Sequence, residues 1–246
     1  EDISFGVNGD GTGGSTTTLN FDEITGVEEV YVRNPSGESG DQVTLEGGQF
    51  STDTLTTVRG GDGNVDVRTN FTNSDASGNT ATIDASGANV NSLRADGVET
   101  VNLRGERAPS EIGSLDLNET TRLNVTGDNA ITIAGALAAT ASNLSTVDAS
   151  NATGDLSLTT GDIAAGADIT ASGGNDRIDF RDASSEISVL GYAGDDVLLA
   201  GNQVSAEDSI NGGGGRDVLA LTAGDVDDLA TDTDRLDAVS NIEIVG

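Results

Sequence analysis

The chain has 246 residues, 35% of them hydrophobic and only 3% aromatic, and it sets 42 acidic side chains against 11 basic ones for a formal charge of −31. Any core must be built from Val, Ile, Leu and Ala. Every basic residue is Arg, and with no His, Cys or Lys there is no imidazole base, thiolate, lysine nucleophile, soft-metal site or disulfide.

The same charge argues against nucleic acid and against insertion in, or binding to, an anionic membrane. No window approaches 18 consecutive apolar residues. The absence of Cys fits an extracellular protein stapled by a hard metal, and the acidity suits either cation binding or adaptation to high salt. A chain opening on Glu1 reads as a processed product or an excerpt of a longer protein.

Residues 1–58 read as an N-terminal β region with loops, the Gly/Thr-rich run from Val7 to Thr18 among them. Its clearest strand is Val27-Glu28-Glu29-Val30-Tyr31-Val32, with apolar residues at relative positions 1, 4 and 6. That phrase returns as Val98 to Leu103, Leu144 to Ala149 and Val239 to Ile244.

Residues 59–222 are dominated by a shorter triplet in which two inward apolar residues flank an outward polar one. It appears as Val65-Asp66-Val67, Ile83-Asp84-Ala85, Leu115-Asp116-Leu117, Ile131-Thr132-Ile133, Leu156-Ser157-Leu158, Ile178-Asp179-Phe180 and Ile187-Ser188-Val189. Turn residues fill the gaps, and spacings of 18 residues separate Val65, Ile83 and Val101 and again Ile169 and Ile187.

Short strands joined by polar turns bury little alone, but stacked coils bury a continuous aliphatic column. The expected fold is all-β, a right-handed parallel β-helix or solenoid; an antiparallel β-sandwich is the alternative. Segments 33–40, with Pro35, and 104–113, with Pro109, read as excursions from the coils. Ala134 to Asn143 and Ala223 to Val239 could each hold a helical turn or two, and residues 223–246 read as a C-terminal cap.

Three turns between 171 and 220 align on a nine-residue template, G-G-x-G-x-D-x-U-x, with U a large aliphatic. Gly212-Gly213-Gly214-Gly215-Arg216-Asp217-Val218-Leu219-Ala220 is complete. Gly191-Tyr192-Ala193-Gly194-Asp195-Asp196-Val197-Leu198-Leu199 keeps the essential positions, and Ala171-Ser172-Gly173-Gly174-Asn175-Asp176-Arg177-Ile178-Asp179 is weaker at its start. Oxygen donors at flexible turns suit Ca²⁺ better than Mg²⁺, so several calcium ions are the expected cofactor. Asp176, Asp196 and Asp217 are the first candidate ligands, with Asn175, Asp195 and the main chains of Gly174, Gly191, Gly194, Gly212 and Gly214 beside them. Asp208 and Asp62, the latter in Gly60-Gly61-Asp62-Gly63, are further metal candidates.

These turns resemble the repeats-in-toxin (RTX) family of calcium-binding, type I secreted bacterial proteins. Phrases such as Gly97-Val98-Glu99-Thr100-Val101-Asn102-Leu103 are similar to the strand repeats of RTX-type surface-layer proteins. The resemblance implies a secreted protein of the bacterial cell surface that folds on meeting calcium and assembles with copies of itself as a structural lattice. Family β-rolls carry the motif every nine residues on both edges. Here only Asp208-Ser209-Ile210 precedes Asp217-Val218-Leu219 at that interval, so calcium is expected mainly on one edge of a wider coil.

Other acidic features read more plainly. Asn8-Gly9-Asp10-Gly11-Thr12 lacks the closing Glu of an EF-hand, and the Asp-rich stretch from Asp225 to Asp237 reads as a solvated face. Asp84-Ala85-Ser86 and Asp148-Ala149-Ser150 read as strand-end turns, since no His or Lys is present to activate Ser. The chain is therefore expected not to be an enzyme. Two rivals stand beside the surface-layer reading: an RTX adhesin or biofilm-matrix module binding a cell-surface polysaccharide, other glycan or receptor, and a calcium-dependent polysaccharide lyase.

Overall fold

The computed structural model describes residues 3–6, 16–20, 29–34, 41–46, 55–60, 65–70, 78–85, 87–137, 143–183, 186–201, 204–222 and 233–246. Inward aliphatic and outward polar residues alternate along them, and they form two eleven-stranded sheets. The first contains β1 (Ile3–Gly6), β3 (Glu29–Asn34), β5 (Leu55–Gly60), β7 (Thr80–Asp84), β9 (Thr100–Arg104), β11 (Arg122–Gly127), β13 (Thr146–Ala152), β15 (Ala167–Thr170), β17 (Ile187–Leu190), β19 (Ser209–Asn211) and β21 (Val239–Ser240). The second contains β2 (Thr16–Asn20), β4 (Asp41–Glu46), β6 (Val65–Asn70), β8 (Asn89–Asp96), β10 (Ser110–Asp116), β12 (Ile131–Ala136), β14 (Leu156–Thr159), β16 (Arg177–Asp179), β18 (Val197–Leu199), β20 (Val218–Ala220) and β22 (Ile244–Val245).

Every strand pairs in parallel with the strand two places along the chain, so successive strands alternate between sheets and the chain winds as a β-solenoid. Parallel pairing throughout sets aside the antiparallel sandwich. The two sheets run without a break in pairing from β1 to β21 and from β2 to β22.

The core lies between the sheets as columns of small aliphatics. In the first sheet Ala81, Val101, Leu123, Val147, Ile169, Val189 and Ile210 stand in register and are fully buried. In the second, Leu158, Ile178, Leu198 and Leu219 do the same. Each Val, Leu or Ile among them contributes about 1.5–3 kcal/mol of transfer free energy, so the columns supply the driving force that aromatics supply elsewhere.

The register corrects several expectations. The 18-residue spacings are not coil intervals: Ile83 stands opposite Leu103, Ile169 opposite Val189, and Val65 opposite Val90. Corner loops differ in length from coil to coil, so no fixed period exists along the chain. The Val239 to Ile244 phrase is not one strand but straddles a corner, with β21 in one sheet and β22 in the other. The supposed excursion at 104–113 is half strand, since β9 ends at Arg104, β10 begins at Ser110 and only 105–109 form the corner. Asp148-Ala149-Ser150 lies inside β13 rather than at a strand end, with the Asp148 carboxylate accepting from the Ser150 amide and hydroxyl. Ala134 to Ala136 belongs to β12, and the helix found among the described residues is a 3-10 helix at Thr233–Ala238.

Candidate functional site

The three Gly-Asp turns stack on one edge, carrying the chain from β15, β17 and β19 into β16, β18 and β20. Coils this tightly stacked leave no room for a side chain at certain corner positions. At Gly194 (φ +119°) and Gly215 (φ +145°) a Cβ would collide with the carbonyl oxygens of Gly174 and Gly194 on the coil before. At these two positions glycine is thus dictated by close approach of main chain to main chain.

A corner takes its residues out of the sheet ladders and leaves their amides without partners, and here side chains replace them. Leu156 donates its amide to Asp176 Oδ1 (2.6 Å), Asp176 to Asp196 Oδ1 (2.8 Å), Asp196 to Asp217 Oδ1 (2.9 Å) and Asp217 to Glu243 Oε2 (2.7 Å). In this inner ladder every carboxylate reaches back to the coil before it. The three Asp side chains are buried at 2%, 0% and 0% exposure.

A second ladder runs beside it in the opposite sense. Asn175 donates its amide to Asp155 Oδ1 (2.7 Å), Asp195 to Asn175 Oδ1 (2.8 Å) and Arg216 to Asp195 Oδ1 (2.9 Å), so each side chain reaches forward to the next coil. Asp155, Asn175, Asp195 and Arg216 are all exposed.

The second oxygens distinguish the inner carboxylates. Asp176 Oδ2 accepts from the Ser172 amide (2.7 Å), and its Oδ1 also accepts from the Ser172 hydroxyl. Asp196 Oδ2 and Asp217 Oδ2 are buried with no hydrogen-bond partner. Each lies where a Cβ on Gly191 or Gly212 would sit, so the first glycine of each turn is the recess that accommodates it. Burial raises the Asp196 carboxyl to about 7, with Asp176, Asp217 and Asp195 adding repulsion against the opposing amide of Asp176. Burial also raises Asp176, opposed by its bonds from Ser172 and Leu156.

Two buried carboxylate oxygens without donors suit a proton or a hard cation. Among the described residues no three carboxylates converge. A cation held here would therefore take one carboxylate oxygen per turn from Asp196 or Asp217 and complete its shell from main-chain carbonyls and water.

The remaining candidates fall elsewhere. Asp208 sits on the opposite edge, where both oxygens are engaged by the amides of Ile187 (2.9 Å) and Ser205 (2.7 Å). Asn175 and Asp195 lie on the exposed outer ladder, not beside the orphaned oxygens of the inner one. Gly174 and Gly194 supply the carbonyls packed under the next coil, and the Gly214 carbonyl accepts from the Gly194 amide (2.9 Å). Asp62, the 8–12 loop and Asp225, Asp227, Asp228 and Asp232 lie outside the described residues.

Asp155, Ser172 and Glu243 belong to the site without having been singled out. The signal for Glu243 was an acid two residues before a strand aliphatic, Val245, as in the template; Asp155 stands one place earlier, opposite Asn175. Comparison with known proteins leaves the site to speak for itself: no protein-family model, no curated protein and no solved structure matches this chain.

Proposed function

We propose that this chain is a non-enzymatic structural module of a secreted bacterial surface layer, a β-solenoid whose Gly-Asp edge is locked by calcium and which assembles with copies of itself at the cell surface. The observation that carries the reading is the pair of buried, unpartnered oxygens, Asp196 Oδ2 and Asp217 Oδ2. An ionised carboxylate with one oxygen left without a donor is costly to bury, and a divalent cation would offset that cost while tying one coil to the next. Asp196 and Asp217 would hold the ions, and Gly191 and Gly212 leave them room. An ion at about 100 times its dissociation constant would add about 2.7 kcal/mol per site, enough for a few sites to decide folding.

The acidic surface supports the assembly half of the reading. At −31 the copies repel one another, and cations that screen or bridge carboxylates remove that barrier. The placement at a bacterial surface rests on the RTX resemblance and on the absence of Cys.

The test is far-UV circular dichroism with light scattering on chelator-stripped protein, titrated with Ca²⁺ against Mg²⁺ and Na⁺ at matched ionic strength. The expected result is a gain in stability of the folded chain, with ordered assembly, that Ca²⁺ alone produces. Equal responses to all three would make the acidity a matter of salt adaptation and remove the calcium lock.

A further inference from the structure

The Gly-Asp edge carries a feature that neither of its ladders explains. Tyr192 occupies the left-handed region (φ +77°), which a bulky side chain adopts only at a cost of order 1–3 kcal/mol. The equivalent residue one coil on is Gly213, at φ +98°. Tyr192 therefore stands where the turn demands glycine, and no burial compensates it, because the residue is 47% exposed. A local rule broken without packing gain marks a position kept for something other than the fold.

Its surroundings specify what that is. On one side the matching position is Gly213, which has no side chain. On the other it is Ser172, fully buried with its hydroxyl turned inward to Asp176. The ring of Tyr192 thus has no neighbouring side chain at its own position on either adjacent coil. The outer ladder runs alongside, its members anchored through one atom only: Asn175 and Asp195 each commit Oδ1 to an amide of the next coil. Asn175, Asp195 and Arg216 are all exposed, and the Oδ1 bonds fix the Asn175 and Asp195 side chains before any ligand arrives.

We propose that Tyr192, with Asn175, Asp195 and Arg216, forms a docking site for a neutral, hydroxyl-rich saccharide. The ring offers an apolar face to a sugar's C–H surface, and the amide, carboxylate and guanidinium supply both acceptors and donors to its hydroxyls. A neutral chain fits better than a second copy of this protein or an anionic polysaccharide, because both of those bring further negative charge against Asp155 and Asp195. The site does not depend on calcium bridging at the inner ladder.

The test is retention of the full chain on immobilised mannan, dextran and galactan, with polygalacturonate as the anionic comparison, in calcium and in chelator. Circular dichroism reports folding and size-exclusion chromatography reports self-association in the same buffers. Retention on at least one neutral polysaccharide is expected, weakened at least tenfold by Tyr192→Gly. That variant relieves the backbone and should melt no lower than the parent. Folded protein that is retained on none of the three neutral polysaccharides, or equally retained after Tyr192→Gly, overturns the proposal. So does loss of self-association in that variant without any saccharide retention, which would make Tyr192 a contact between copies.

Discussion

Asp217 accepts the amide of Asp196 through Oδ1 at 2.9 Å, one coil away, and leaves its Oδ2 buried with no partner. The two oxygens of one carboxylate are thus separable: the first closes the fold, and the second is the one to which the proposed function assigns a cation. Substitutions can address them one at a time.

Asp217→Asn keeps an acceptor for the Asp196 amide, whereas Asp217→Ala strands that amide in the interior. Without calcium, the Ala variant should lose about 1–3 kcal/mol and the Asn variant should melt at or above the parent temperature. In calcium, both should lack the stabilisation the parent gains there. Thermal melts in chelator and in calcium measure both effects, and a full calcium response in the Asn variant would remove Asp217 from the cation site.

The opposite edge supplies the control. Both Asp208 oxygens already serve amides, those of Ile187 and Ser205. Asp208→Asn sets a donor against one of those amides and should cost stability equally with and without calcium, whereas Asp196→Asn should remove part of the stabilisation that calcium gives. Thermal melts in chelator and in calcium distinguish them, and an equal calcium response in the two variants would place the cation elsewhere.

Calcium-free protein should lose stability as pH rises. A carboxyl held near 7 in the folded chain keeps its proton well above the ordinary carboxylate range, so its contribution is complete below about pH 4 and lost as pH climbs through 7. Melting temperatures in chelator should fall between pH 5 and pH 8, and Asp196→Asn should flatten the fall. Asp179, held low by its bond from Arg181, works in the opposite sense and loses its contribution only under acid conditions below the ordinary range. A flat profile in the parent would show that the Asp196 carboxyl titrates normally.

Glycines of like conformation should differ according to what surrounds them. Gly166 (φ +71°) has open space where a Cβ would go, whereas at Gly194 the Gly174 carbonyl occupies it. Gly166→Ala should cost about 1 kcal/mol from backbone strain alone, and Gly194→Ala distinctly more. For scale, Leu198→Ala in the core column should cost about 2–5 kcal/mol. Urea unfolding of the three variants gives the order directly.

The layered architecture was legible because a stacked coil repeats the same demand at each level: two aliphatics inward, one polar residue outward, glycine at the tight corner. Leu156-Ser157-Leu158 states it plainly, and its Leu158 proves to stand opposite Ile178 of the next coil. Outside the three template turns, where Ile178, Leu198 and Leu219 align as the motif places them, register was not legible, because it is decided by corner loops of unequal length. Leu198 follows Ile178 by 20 residues, while Leu93 follows its own partner, Val67, by 26. The template located the turns and their aspartates. It could not tell that neighbouring positions such as Asp195 and Asp196 would belong to ladders of opposite sense, since that depends on which corner amides the sheets leave over.

A stack that repeats the same hydrogen bond from level to level needs an instruction to stop, and the outer ladder contains one. After Asp155, Asn175 and Asp195 the fourth member is Arg216, whose guanidinium donates but cannot accept. An amide arriving on the next coil finds nothing there to receive it. The inner ladder meanwhile crosses that same gap on the longer side chain of Glu243. One column closes while its neighbour continues, so the two directions of the rod are chemically distinct.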